Sequence, residues 1–454
     1  MKENILFITT PIFSHIIPTL EIAKILSSQY NIYYCVHNEP NKKLVEENGH
    51  KAFIMNNPRF GNGTDAFLLY DELKNSSNNA ISFLAATKFY LKNSLFKRRQ
   101  MELDKIIFEI KPKAIFIDIF SSTDYIVLYK YRKTISLSFF SPMLSTYELG
   151  NFPLVTNGEW NSTTMLPIIS EKPNLLTKIS NFLVGNNPVF QIKYNYWRQL
   201  MFMSNKISVD NPYLMTFKNV KEIFLSPIEL EFSSQIIKKN QYYLGLCIDI
   251  DRKEKLIDTK FIDEFHKIKN FKYAHSKKIL YCSFGTFFST VEEYKEITNF
   301  LFAFIEALKN NSSLIVLISV SDSISKIITQ QINIPSNFYF FSNVPQLEVL
   351  KLSDIFITHG GLGSIKEAIY FEVPLIVFPL DLNWDQCGNS LKVFYHGIGL
   401  RGNLREDEPY QILEKVEEVL KNEIYKQNIS KLNEMVKKKY TSQKILNDLD
   451  RIIN

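Results

Sequence analysis

Two short segments carry residue types that could do chemistry together. Thr358-His359-Gly360-Gly361-Leu362-Gly363-Ser364 closes an apolar, β-branched run, Ile355 to Thr358, and leads directly into a helical pattern. Glycines let backbone come close to a ligand, and the free amides of a first helical turn favour an anion. The same residues admit a purely structural reading. Ser364 and Glu367 have the S-x-x-E spacing of a capping box and could do no more than start the helix. Far upstream, Pro11-Ile12-Phe13-Ser14-His15-Ile16-Ile17-Pro18 follows the first apolar run, Ile5 to Thr9. A lone histidine is more often structural than catalytic. His15 nevertheless sits at a strand-to-helix switch, where side chains at the C-terminal ends of parallel strands face the crevice that binds ligands. Pro18 suits a first helical turn. A histidine base works best beside a carboxylate that fixes its tautomer and stabilises the imidazolium. Asp118, ending the run Ala114 to Asp118, is the first candidate and Asp124 its rival; the strand-end residue is better placed to reach a crevice.

The elements that must hold these residues are legible as short apolar runs separated by helical patterns. In the first half they are Ile5 to Thr9, Ile32 to Val36, Ala114 to Asp118 and Ser136 to Phe140. The second half repeats the layout with Ile279 to Ser283, Leu314 to Ser319, Phe338 to Ser342, Ile355 to Thr358 and Leu375 to Phe378. That alternation predicts parallel strands joined by helices, an α/β chain of two doubly wound, Rossmann-like domains. A length of 454 residues also calls for two cores. The expected division is a first domain over 1–248, a charged linker over 249–278 and a second domain over 279–424. A helical stretch over 425–454 follows, after a helix at about Asp407 to Lys421. The regions Asn57 to Leu103 and Pro142 to Trp197 mix turns, aromatics and helical fragments, as insertions carried above strand ends do.

Composition sets further bounds. Apolar residues make up 45% and charged ones 22%, the ordinary mix of a folded protein. The aromatic share of 14%, with 36 Phe and 23 Tyr, is used mainly in two large cores and partly in an apolar cleft. The charge of +6 is dispersed; the basic runs Lys97-Arg98-Arg99 and Lys437-Lys438-Lys439 lie in helical patterns, so nucleic acid is not an expected partner. Cys35, Cys247, Cys282 and Cys387 are far apart and form no C-x-x-C pair, against a zinc or redox centre. Asn4-Ile5-Leu6-Phe7-Ile8 is too short for a signal-peptide core, and no later window holds a membrane span. A cytoplasmic location is expected, with peripheral contact with a membrane left open.

The glycine turn does not stand alone. Pro345-Gln346 precedes it, and Glu367-Ala368-Ile369, Val373-Pro374-Leu375 and Asp385-Gln386-Cys387-Gly388-Asn389 follow in order. Over these residues the sequence resembles the family one nucleotide-sugar glycosyltransferases, whose donor signature runs P-Q, T-H-C/G-G-x-x-S-x-x-E-A, G-V-P, D/E-Q-x-x-N. The resemblance implies the two-domain fold called GT-B, with a cleft between facing Rossmann-like domains and a C-terminal helix returning across the first. It implies that Gln346 contacts the nucleobase, that His359 and Ser364, with Gly361 and Gly363 at the turn, bind the diphosphate, and that Glu367 accepts bonds from ribose. Asp385 and Gln386 would hold the transferred sugar, and Gln at the second position resembles a glucose preference. Tyr281-Cys282-Ser283-Phe284-Gly285-Thr286 is similar to the family's S-F-G-S/T turn, which would bring Ser283 and Thr286 to the diphosphate. The family's catalytic histidine and its aspartate match His15 and Asp118.

The sequence departs from that pattern at several places. Asn343 stands where an aromatic usually stacks on the base, Gly363 where plant members often have Asn, and Glu372 where Gly usually precedes Val-Pro. The spacer Pro379 to Asp385 is also longer. The expected activity is inverting transfer of a sugar, glucose from UDP-glucose first and dTDP-sugars still open, with His15 as base and no metal or cofactor. Asp249-Ile250-Asp251 has the D-x-D pattern of metal-dependent transferases but lies in the expected linker and is read as solvated. The expected acceptor is a small lipophilic or aromatic alcohol such as a carotenoid, macrolide or flavonoid. Phe83, Phe89, Tyr147, Phe152, Trp160 and Trp197 of the two insertions would meet it. A sugar-nucleotide epimerase of the same fold and a non-catalytic nucleotide-sugar binder stay open as alternatives.

Overall fold

The structure is a computed structural model, and it describes residues 2–57, 94–145, 147, 209–211, 216–232, 237–252, 258–285, 291–381 and 385–454. The first unit runs β1 (Glu3–Ile8), α1 (Phe13–Leu26), β2 (Tyr30–Val36), α2 (Glu39–Glu47), β3 (Lys51–Ile54), α3 (Ser94–Ile110), β4 (Pro112–Asp118), α4 (Asp124–Leu128) and β5 (Ser136–Ser141). A small ribbon, β6 (Val209–Asn211) and β7 (Thr216–Phe217), precedes β8 (Lys221–Phe224) and β9 (Gln241–Tyr243). Seven of these strands form one parallel sheet in the order β3-β2-β1-β4-β5-β8-β9. Ile5, Leu6, Phe7 and Ile8 are all buried, because helices cover both faces and a strand between them needs apolar residues on each.

The second unit runs α5 (Thr259–Ala274), β10 (Lys278–Ser283), α6 (Val291–Leu308), β11 (Leu314–Ser319), α7 (Asp322–Gln331), β12 (Phe338–Phe341), α8 (Gln346–Leu350), β13 (Ile355–Thr358) and α9 (Leu362–Phe371). It continues with β14 (Leu375–Val377), α10 (Asp385–Tyr395), β15 (Gly399–Arg401) and α11 (Pro409–Lys421). Its six strands are again parallel, in the order β12-β11-β10-β13-β14-β15. The strand order reverses beside β1 in one sheet and beside β10 in the other. Those are the switch points where crevices open at the carboxyl ends of the strands.

Three local outcomes differ from the sequence reading. The stretch expected to be a linker contains α5, whose N-terminus is capped by Asp258 accepting from the Lys260 amide at 2.9 Å. Phe261 and Ile268 of that helix are buried in the second unit's core, so most of 259–278 belongs to a packed element. Pro18 lies within α1 at its sixth residue, beyond the first turn. The stretch 425–454 divides at Tyr440 into α12 (Ile424–Lys439) and α13 (Ser442–Ile453). Ile429, Leu432 and Val436 of α12 pack with the second unit, whereas Ile445, Leu449, Ile452 and Ile453 of α13 join the core of the first. The Tyr440 hydroxyl accepts from the Ile228 amide at 3.1 Å at this crossing.

The two units share a continuous apolar contact. Met143, Leu144 and Leu230 of the first belong to the same buried cluster as Leu362, Ile365 and Ile369 of the second. Buried polar bonds cross beside it. Lys366 donates to the Leu225 carbonyl at 2.7 Å, and Lys392 pairs with Glu231, whose other oxygen accepts from the Ser145 amide at 2.6 Å. The helices α9 and α10 are thereby tied to the end of β8 and the turn beyond it.

Candidate active site

His15 lies in the first turn of α1 just past the C-terminal end of β1, and it is buried. Its Nδ1 is 2.9 Å from Asp118 Oδ2, at the end of the adjacent strand β4. The same oxygen accepts from the Thr10 amide at 3.3 Å and the Thr10 hydroxyl at 3.0 Å, while Oδ1 accepts from the Phe120 amide at 2.9 Å. Burial alone would raise the Asp118 carboxyl, but His15 and these donors together hold it below its ordinary range. A carboxylate on Nδ1 fixes the proton there and leaves Nε2 as the basic nitrogen. Phe120 lies against the imidazole, with ring centroids 4.7 Å apart. Asp124, the rival, is bonded instead to buried Arg99, whose Nε and Nη2 reach its two oxygens at 3.0 and 2.6 Å.

On the other side, β13 ends at Thr358, which pairs in register with Ser283 at the end of β10. The His359 ring fits between two glycines: a Cβ at Gly285 would lie 3.0 Å from its Cε1, and one at Gly361 2.8 Å from its Nε2. Gly360 has φ +93°, and a Cβ there would meet Val377 at 2.7 Å, so only glycine fits this turn. Burial lowers the pKa of His359 to about 4, and its Nδ1 has no hydrogen-bond partner among the described residues. At neutral pH the ring is therefore uncharged and can offer a single N–H.

The helix α9 starts at Leu362 with Gly361 as N-cap, and no side chain caps it. The capping-box reading therefore fails: Ser364 and Glu367 lie inside the helix and bond elsewhere. Gln346 Nε2 donates to Glu367 Oε2 at 2.7 Å and to Ser364 Oγ at 3.3 Å, while its Oε1 accepts from the Tyr281 hydroxyl at 3.2 Å. Arg252 Nη1 bonds the other carboxylate oxygen of Glu367. Gly363 has open space where a Cβ would be, so the backbone there is uncovered. An anion would meet the free amides at this helix start.

Asp385 opens α10 and accepts from Asn389 Nδ2 at 2.9 Å, and a second Asn389 bond of 2.9 Å reaches the Gly360 carbonyl. Burial raises the Asp385 carboxyl, against lowering by Asn389 and by the charge of His15. Phe120, whose ring lies against His15, packs on the buried cluster that holds Leu362 and Ile365, so the His15 side of the first unit abuts α9 of the second. Gln386 accepts from the Leu380 and Asp381 amides at 2.9 and 3.0 Å, so its carbonyl is engaged in folding the preceding loop. Thr286 lies outside the described residues, as do Phe83, Phe89, Phe152, Trp160 and Trp197 of the expected acceptor surface. Tyr147 is described, and its hydroxyl donates to Glu222 at 2.5 Å. Sequence reasoning did not find Thr10, Phe120 or Arg252. The first two are an ordinary strand-end threonine and an aromatic, and Arg252 sits in a charged run without periodicity.

Asp249 and Asp251 both lie near Lys24 Nζ, at 3.4 and 3.2 Å. Among the described residues no group of three or more His, Cys, Asp or Glu gathers as a metal site. Nor is any described helix long and apolar enough to cross a membrane.

Comparison with solved structures places this architecture in the GT-B class of glycosyltransferase folds. The glycosyltransferase of kitacinnamycin superposes with a TM-score of 0.65 at 17% identity, covering 100% of both chains. The Medicago truncatula enzyme UGT71G1, complexed with UDP-glucose, superposes at 0.62 and 15% identity, covering 100% of this chain and 99% of that one. The family model of UDP-glucoronosyl and UDP-glucosyl transferases matches residues 176–449, more than half of the chain, and the chain belongs to that family. Among curated relatives, the uncharacterized UDP-glucosyltransferase YdhE of Bacillus subtilis (strain 168) is 31% identical over 178 residues, 39% of this chain and 42% of its own length. The NDP-glycosyltransferase YjiC of the same organism is 33% identical over 124 residues, 27% of this chain and 29% of its own. The matched segments thus span about two fifths or less of these relatives.

Proposed function

We propose that this chain is an inverting glycosyltransferase that moves a sugar, glucose from UDP-glucose first, onto a hydroxyl of a small lipophilic or aromatic acceptor. The observation that carries the reading is the convergence of two half-sites. The His15–Asp118 pair lies on one side and the turn from His359 with Asp385 on the other, and Phe120, whose ring lies against His15, packs on the buried cluster that holds Leu362 and Ile365 of α9. Family membership and the names of the relatives support a nucleotide-sugar donor, and Gln386 after Asp385 supports glucose. His359, Ser364, Ser283 and the amides from Gly361 to Gly363 are assigned to the diphosphate, Glu367 to the ribose and Gln346 to the base.

In this mechanism His15 Nε2 removes the acceptor hydroxyl proton as the oxygen attacks the anomeric carbon. The bond from that carbon to the β-phosphate oxygen breaks with inversion, and UDP leaves. Asp118 stabilises the imidazolium, and the helix amides with the neutral His359 N–H meet the charge on the leaving group. Incubating the protein with UDP-glucose, and separately dTDP-glucose, against a panel of phenols, macrolides and carotenoid alcohols tests this by mass spectrometry. A mass gain of one hexose on a hydroxylated acceptor is expected. Turnover of the donor to an isomeric sugar nucleotide without any acceptor product would contradict it.

A further inference from the structure

The carboxylate assigned to the ribose is already engaged. Arg252 Nη1 bonds Glu367 Oε1, and Gln346 Nε2 bonds Oε2 at 2.7 Å. Arg252 comes from the segment that joins the two units, whereas Glu367 belongs to α9, so the pair is a tertiary contact of this chain's own making. Both side chains are shielded, Glu367 at 7% and Arg252 at 20% exposure, which leaves little water to screen them. A carboxylate offers about four lone-pair sites, and a charge-assisted bond to a guanidinium is the stronger class of occupant. Ribose hydroxyls entering this site must share the remaining lone pairs or displace the guanidinium. Either way they meet a carboxylate that already has partners and do not rescue an unpaired charge.

That difference controls selectivity. A site rejects an analogue lacking a hydroxyl strongly when its own buried polar group is then left unsatisfied, and weakly when that group keeps another partner. We propose that Arg252 is a specificity-determining residue for the nucleotide: by keeping Glu367 paired when no 2′-hydroxyl is present, it lets the site take 2′-deoxynucleoside diphosphates nearly as well as ribonucleoside ones. The inference rests on the assignment of Glu367 to the ribose.

Calorimetric titration of the full chain with UDP and with 2′-deoxy-UDP tests it. The wild type binds the two within about threefold. Arg252→Ala, which leaves Glu367 Oε1 to be satisfied by the hydroxyl while Gln346 keeps Oε2, prefers UDP by about tenfold, the value of one hydrogen bond to a charged group. Arg252→Lys, which keeps the cation but loses the planar fork, falls between them. An unchanged ratio in Arg252→Ala, or a wild-type preference above tenfold, overturns the role of Arg252. Should Arg252→Ala not fold, Arg252→Gln carries the same comparison. Glu367→Gln separates the premise from the proposal. Weaker UDP binding by that variant with a flat Arg252 ratio removes only the Arg252 role, whereas undiminished UDP binding removes the ribose assignment as well.

Discussion

His15 is buried and His359 is half-buried, and their surroundings set opposite tasks. His15 has a carboxylate on Nδ1, which suits a group that must carry a proton during turnover. His359 has glycines on both sides and no partner on Nδ1 among the described residues, which suits a neutral donor. A testable consequence concerns stability. With the folded pKa lowered from 6.5 to about 4, the unfolded chain binds more protons than the folded one between those values. Stability from this group is thus complete above pH 6.5 and lost as pH falls toward 4. The loss is on the order of 2 to 3 kcal/mol, the lower end allowing for partial exposure of the ring. Urea denaturation of wild type and His359→Gln across pH 4 to 7 checks it; the variant should show a visibly shallower acid slope. Much of this scale was legible in the sequence, because strand ends and glycine turns announce themselves locally. Arg252 was not, since its partner is 115 positions away and only the folded chain joins them.

The element that matters most is α9, which begins at a glycine turn and ends at Glu372. Glu372 has φ +58°, a left-handed conformation that glycine adopts without cost. Its side chain accounts for the departure from glycine. It accepts from Asn433 Nδ2 at 2.9 Å and Ser430 Oγ at 2.8 Å, both on α12, and these bonds, Asn433 foremost, lower its pKa. Glu372→Ala keeps the strain and loses the bonds, so a destabilisation of about 2 kcal/mol is expected. Glu372→Gly relieves the strain while losing the same bonds and should cost roughly half as much. Chemical denaturation of the two variants measures the difference; a glycine variant less stable than the alanine one would contradict it. The sequence marked Glu372 as unusual but could not supply the compensating helix. The capping-box alternative for Ser364 and Glu367 fails, because four-residue spacing is local whereas the start of α9 is set by the Gly360-Gly361 turn. Strands β9 and β15, of three residues each, were too short for periodicity to reveal.

At the level of the whole molecule, the two units are held by a common apolar cluster, by α13 returning to the first sheet and by buried lysines crossing between them. Lys392 and Glu231 are 3% and 0% exposed, so removing one partner leaves a charge without compensation. Glu231→Ala should destabilise the chain by about 3 kcal/mol, and a second change, Lys392→Met, should recover most of it. Thermal and urea unfolding of the single and double variants decide this; equal instability of both would mean that packing and not charge is at stake. The two-unit architecture was readable from alternating strand and helix patterns, since parallel sheets covered on both faces demand them. The contact between units was not readable, because it is built from single side chains far apart in the chain.

The central claim is that the first unit deprotonates an alcohol at a donor gripped by the second. Its most direct measurement is paired: steady-state transfer and UDP affinity for His15→Ala. The account predicts a fall in kcat of at least about a hundredfold with UDP binding changed by less than about twofold. A variant that transfers sugar at the wild-type rate, or one that loses UDP binding in proportion to its activity, would contradict it.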